Sequence, residues 1–270
     1  MTTCQMPFTH VGSKWNLAPD LVRMVRRAGC DTYVEPFAGS LAVLLSKPPH
    51  SFEVVNDLDD DIVNFFTVLR DEPDEFIRRC ELTPYAREEL DRAKSELEFV
   101  HEPVERARLW WVTKTQTING KGDTFRCSAT MLITDFTSRL RAVADRLHDV
   151  AIESTDAVEL IGRLDSTDTV FYLDPPYLGS TRHSGTRYKV DQRGDDFHTG
   201  MLDAIVAAKG AVILSGYPSP LYETALAGWY RAEYQVHAST NAVHGNGYDN
   251  TRTEVVWCNR DIVERHQTLF

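Results

Sequence analysis

The run Val170-Phe171-Tyr172-Leu173 is apolar throughout and ends in Asp174-Pro175-Pro176-Tyr177. A strand without polar alternation is the kind buried on both faces of a parallel sheet. The residue before a proline is driven into extended backbone, and each proline fixes its own φ. The strand must therefore stop in a stiff arm. This pairing points to an open α/β architecture, in which ligands bind beyond the carboxyl ends of the strands.

The rest of the chain alternates accordingly. A helical pattern from Leu17 to Arg27 precedes a first strand, Thr32 to Phe37, and a short apolar helix, Leu41 to Leu45. A second strand, Phe52 to Val55, leads into a helix over 59–70. From about 74 to 147 the strand signal gives way to helical patterns, with Pro84 and Pro103 read as helix starts and Trp110-Trp111 as core. The alternation resumes with strand 150–153, helix 155–163, strand 170–173, a helix near 197–208, strand 211–214 and a helix over 219–226. Strands over 231–236 and 254–258 close the chain without a helix between them, which predicts an antiparallel edge strand on a mostly parallel sheet. The expected division is 1–73 and 148–270 as one α/β domain, with 74–147 as a helical insertion.

Composition narrows the class. With 42% hydrophobic and 26% charged residues the 270-residue chain reads as soluble and globular, and no apolar stretch approaches the roughly 18 residues of a membrane span. Met1 to His10 has no basic region followed by an apolar one, so an intracellular, cytoplasmic location is expected. Five scattered cysteines without a Cys-x-x-Cys pair suggest free thiols and no metal site. The net charge of −11 argues against gripping nucleic acid over the whole surface. Its distribution is uneven, because Arg182, Arg187, Lys189 and Arg193 face one acid, Asp191, just after the arm. Such a cluster is also what a solvated face looks like.

The arm's residues suit a planar amine. Asp174 can accept one N–H, the Pro175 carbonyl can accept the other, and Tyr177 offers a ring face. Two acceptors and a platform describe an adenine amino group, whose rate of attack would come from positioning and electrostatics. A Pro-Pro turn closing a core strand is the alternative. Upstream, Gly39 allows a tight turn after the first strand, and Asp57, 18 residues later, ends the second. That acid is placed to accept ribose hydroxyls, or to cap the helix that follows. An acid after a glycine turn also suits a nicotinamide cofactor, but the first turn lacks Gly-x-Gly-x-x-Gly.

Taken in order, the blocks resemble the Dam-like, D12 class adenine-N6 DNA methyltransferases. They are Gly12-Ser13-Lys14, Glu35-Pro36-Phe37-Ala38-Gly39-Ser40-Leu41, Asp57, Asn119-Gly120 and Asp174-Pro175-Pro176-Tyr177. The resemblance implies a Rossmann-like class I methyltransferase fold, S-adenosylmethionine (AdoMet) as methyl donor, DNA as partner and a target-recognition role for the insertion. It implies that His10, Lys14, Phe37, Ala38, Gly39, Asp57 and Asp174 hold AdoMet, with Asp57 on the ribose. Asp174, Pro175, Pro176 and Tyr177 would take a flipped adenine. Ser215 and Tyr217 would line its pocket, and the loop before Arg252 would close near the base. Asn119, Lys121 and Arg126 in the insertion, with Arg182, Arg187 and Lys189, are the candidates for contacting DNA. Two positions depart from the family pattern: Leu41 stands where a second glycine is usual, and His10 where an aromatic ring is usual. An RNA adenine methyltransferase and a non-catalytic DNA-binding relative remain alternatives.

Overall fold

The Thr169–Leu173 strand is buried along its whole length and lies between two parallel neighbours. This computed structural model describes residues 4–10, 12–127, 133–178, 194–237 and 251–262. In chain order its elements are α1 (Ala18–Ala28), β1 (Thr32–Glu35), α2 (Ala42–Ser46), β2 (Phe52–Asn56), α3 (Asp60–Asp71), α4 (Pro73–Glu81), α5 (Arg87–Glu96) and α6 (Pro103–Thr115). Then follow α7 (Ile133–Leu147), β3 (Val150–Glu153), α8 (Ala157–Leu164), β4 (Thr169–Leu173), α9 (Asp195–Ala207), β5 (Ala211–Gly216), α10 (Pro220–Ala225), β6 (Tyr230–His237) and β7 (Thr251–Cys258).

The protein has an α/β fold with a seven-stranded mixed sheet, in the order β3-β2-β1-β4-β5-β7-β6. β1 pairs in parallel with β2 and β4, and β4 with β5. β7 runs antiparallel to both β5 and β6, so the reversed strand is the one next to the edge. This order brings the carboxyl ends of β4 and β5 together with the start of β7. Gly216 pairs with Val255, which places Arg252 and Glu254 beyond the ends of the parallel strands.

Two compact units make up the chain: residues 1–19, 38–49 and 59–154 form one, and 20–37, 50–58 and 155–270 the other. The core of the first is aromatic. Phe8 meets Phe65 edge-on at 5.1 Å and Trp110 at 4.9 Å, and the buried Trp111 donates its ring N–H to the Pro7 carbonyl at 2.9 Å. Among the described residues between α4 and α7 the regular structure is helical, apart from a Thr117–Phe125 bridge. Charge organises the helices. Arg108, buried on α6, takes both oxygens of Glu105 at 2.6 and 2.8 Å and one of Glu89 at 2.5 Å. These contacts hold the Glu105 and Glu89 carboxyls below their usual range, against the upward push of burial.

Three details differ from the sequence reading. Pro84 does not start a helix, since α5 begins at Arg87 with Ala86 as its cap; its carbonyl instead accepts from the Gln116 side chain at 2.9 Å. Pro73, by contrast, opens α4, where its missing N–H costs nothing, as Pro103 opens α6. The cap of α3 is Asp59, which accepts from the Asp61 N–H at 3.0 Å, so Asp57 is not spent on capping. β1 also stops at Glu35, because Pro36 has no N–H to continue the ladder.

Candidate active site

At the end of β4 the Asp174 carboxylate meets the Ser215 hydroxyl, Oδ1 to Oγ 3.2 Å, from the end of β5. Ser215 is fully buried; its Oγ also lies 3.3 Å from the Leu173 carbonyl and 3.2 Å from the Tyr172 hydroxyl. One serine thus ties the ends of two neighbouring strands together and orients the carboxylate between them. Tyr177 and Tyr217 stack face to face, with centroids 4.2 Å apart and ring planes 27° from parallel. The Arg252 guanidinium sits 5.8 Å from the centre of the Tyr217 ring. Tyr177 points its hydroxyl at the buried Glu254, donating to Oε2 at 3.1 Å with Oε1 at 3.4 Å.

Behind this cluster, buried His198 of α9 lies 2.9 Å from the hydroxyl of Tyr222 on α10. Burial pushes the Tyr222 pKa up, and the nearby Asp174 charge adds to it; burial likewise pushes His198 down and favours its neutral form. Pro175, Tyr177, Ser215, Tyr217 and Tyr222 line a small cleft.

The same unit carries Pro36 and Phe37 after β1 and the turn after β2. Asn56, buried at the end of β2, donates to the Pro36 and Thr155 carbonyls, both at 3.0 Å, and accepts from the Thr155 N–H at 2.8 Å. These bonds fix the segment that presents Asp57. Phe37 is buried with its ring edge-on to Phe197 at 6.1 Å.

In the other unit, Gly39 has φ +48°, and a Cβ there would lie 3.5 Å from Nε2 of His10. Leu41, in the position of the expected second glycine, has φ +54° and is fully buried. Its side chain packs in the core while its backbone takes the left-handed shape a glycine would take freely, at a cost of about 1–2 kcal/mol. Ser13 and Ser40 join the two loops through a 2.8 Å hydroxyl contact. Lys14 is buried, with Nζ 3.4 Å from the Gly12 carbonyl. Burial and the charges of Lys114 and Lys14 push His10 down to about 3, so its ring is neutral at physiological pH.

Residues 10–212 of the 270-residue chain match the D12 class N6 adenine-specific DNA methyltransferase family. The chain belongs to that family. As a D12 class methyltransferase it transfers the methyl group of AdoMet to N6 of adenine in DNA. No curated protein sequence matches it. Among solved structures it is similar to a Thermoplasma acidophilum protein described as Thermoplasma acidophilum 1320, at 8% identity with a TM-score of 0.43 over 93% of this chain and 89% of that one.

Other residues singled out from the sequence of this D12 class enzyme lie elsewhere. Asn119 has φ +56°, and the next residue, Gly120, lies so close to the Thr9 carbonyl that a Cβ would stand 2.0 Å from the oxygen. Lys121 is exposed. Arg126 turns its guanidinium onto the Thr115 carbonyl at 2.6 Å and lies 5.8 Å from the centre of the Phe136 ring. Arg182, Arg187 and Lys189 fall outside the described residues. Sequence reasoning passed over Glu254, Tyr222 and His198. For Glu254 a signal was present: it is a lone acid inside Val255-Val256-Trp257-Cys258's strand, where a charge is out of place unless something holds it.

Proposed function

We propose that Asp174, the Pro175 carbonyl and Tyr177 hold the target adenine for methylation, and that the recognition of DNA beyond that base falls to the helical segment 74–147. The observation that carries this reading is the Ser215 contact to Asp174, which aims a carboxylate at the end of β4 beside an aromatic ring. An acceptor held in place needs no reorganisation when the amine arrives. Asp174 takes one amine hydrogen and the Pro175 carbonyl the other, which favours the pyramidal nitrogen that attacks. Tyr177 supports the base plane, since stacking on an aromatic ring is worth about 1–3 kcal/mol per base.

Bound AdoMet supplies an electrophilic methyl on a sulfonium. We assign its binding to His10, Lys14, Phe37, Ala38, Gly39, Asp57 and Asp174. Support comes from the bare backbone of Gly39 at positive φ and from the Asn56 bonds that fix the start of the Asp57 segment. A neutral His10 also adds no positive charge against a sulfonium. Among the described residues no helix is long and apolar enough to cross a membrane. With DNA as its substrate, the enzyme is proposed to work inside the cell.

The test is transfer of labelled methyl from AdoMet to DNA in the presence of a chelator, with digestion to nucleosides. N6-methyladenine from the native enzyme, lost in Asp174→Ala, supports the assignment. Retention of label by Asp174→Ala overturns it.

A further inference from the structure

β7 runs antiparallel to both of its neighbours in the sheet, and its direction has a chemical result. A parallel strand in that place would present its carboxyl end to the ligand side. β7 instead begins there. Its side chains alternate, so Arg252 and Glu254 share a face. One lies over the Tyr217 ring and the other accepts from the Tyr177 hydroxyl. The two members of the aromatic pair are therefore each held by one residue of the same strand.

Glu254 is out of place for a core acid. It is 2% exposed, within a strand that otherwise runs into Val255, Val256 and Trp257, all buried. Burying a carboxylate is costly unless it is hydrogen-bonded, and the Tyr177 hydroxyl is one of its donors. A ring attached through Cβ alone can rotate and tilt. Tyr177 is fixed at both ends: main chain held by Pro175 and Pro176 at one, the hydroxyl on Glu254 at the other.

We propose that Glu254 is a positioning residue for methyl transfer, acting through the Tyr177 hydroxyl to set the plane of the ring on which the target adenine rests. This rests on the reading that Tyr177 supports the base. Glu254 touches neither the adenine nor AdoMet in this account. Its loss should lower turnover and leave the AdoMet KM unchanged.

The experiment is a double-mutant cycle on the full chain, using a DNA duplex that the native enzyme methylates. Glu254→Ala and Tyr177→Phe should each lower kcat about tenfold, the order of a charge-assisted hydrogen bond. The double variant should be no slower than either single one. Glu254→Gln, which keeps an acceptor oxygen, should recover most of the loss. If Glu254→Ala does not fold, as judged by AdoMet binding, the cycle is run with Glu254→Gln, whose smaller effect should vanish in the Tyr177→Phe background. 2-Aminopurine at the target position should show a fluorescence change in the Glu254 variants that Tyr177→Phe reproduces. Losses that multiply in the double variant, or an unchanged kcat in Glu254→Ala, overturn the proposal. Tyr177→Ala separates the two readings: near-native turnover there removes the base-support role itself, whereas severe loss there with multiplying Glu254 and Tyr177→Phe effects removes only the role of Glu254.

Discussion

Ser215 Oγ stands 3.2 Å from Asp174 Oδ1, so the orientation of the proposed amine acceptor is set by a residue on the next strand. Ser215→Ala removes the hydroxyl without enlarging the side chain. Turnover is expected to fall about tenfold, as for one hydrogen bond to a charged group. The AdoMet KM should change much less. Steady-state kinetics at saturating DNA checks this; a raised KM with unchanged kcat would place Ser215 in cofactor binding instead.

Neighbouring acids after β2 are expected to separate stability from binding. Asp59 caps α3, and Asp59→Ala should cost about 1 kcal/mol of stability while leaving AdoMet binding intact. Asp57→Ala should do the reverse, chiefly raising the AdoMet KM, as expected when binding shared by ground and transition states is lost. Urea unfolding and calorimetric AdoMet titration of both variants decide it.

The sequence motif Asn119-Gly120 marks a packing constraint as much as a surface. Gly120→Ala would drive a Cβ into the Thr9 carbonyl at a position with φ +65°, so the main chain at Thr9 must move. We expect a loss of at least about 2 kcal/mol, the scale of a forced main-chain shift. Gly122→Ala has open space around it and only backbone strain, and should cost about 1 kcal/mol. Thermal unfolding of the pair tests the difference.

How much of this was legible beforehand follows from the range of the forces involved. The strand over Thr169–Leu173 was readable because burial writes itself into consecutive residues. Pro103 was readable because a proline fits the first turn of a helix, and Trp111 because a large apolar ring is usually buried. Pro84 misled because a proline that ends one turn and one that starts a helix look alike until the cap is known. The direction of β7 was half legible from the missing crossover helix, but its place between β5 and β6 was not, since strand order depends on contacts distant in sequence. The Asp174 arm was visible as a motif. Its partners were not: Ser215 was named as pocket lining, and the lone acid Glu254 in its apolar strand could not be matched to Tyr177, because a hydrogen bond across 77 positions leaves no periodic trace. Arg126 shows the opposite limit. A basic residue in a turn-rich loop reads as a DNA contact, and nothing in the sequence shows that its guanidinium also donates to the Thr115 carbonyl.

A pH dependence should expose His10. Its pKa falls from 6.5 to about 3 on folding, so below pH 6.5 the unfolded chain takes up a proton that the folded one refuses. The associated stability is present above 6.5 and is lost progressively as pH falls toward 3. His10→Phe places the family's usual ring there and removes this loss. The stability difference between His10→Phe and the native protein should therefore shift in the variant's favour between pH 6.5 and about 4, measured by urea midpoints. Parallel curves would mean that His10 does not titrate as its surroundings require.

Methyl transfer as proposed depends on Asp174 as the acceptor that holds the reacting amine. Nucleoside mass spectrometry of DNA incubated with AdoMet and Asp174→Ala, at AdoMet concentrations shown by calorimetry to saturate the variant, tests that directly. The expected result is N6-methyladenine from the native enzyme and none above background from the variant. Sustained N6-methyladenine formation by a folded, AdoMet-saturated Asp174→Ala would contradict it.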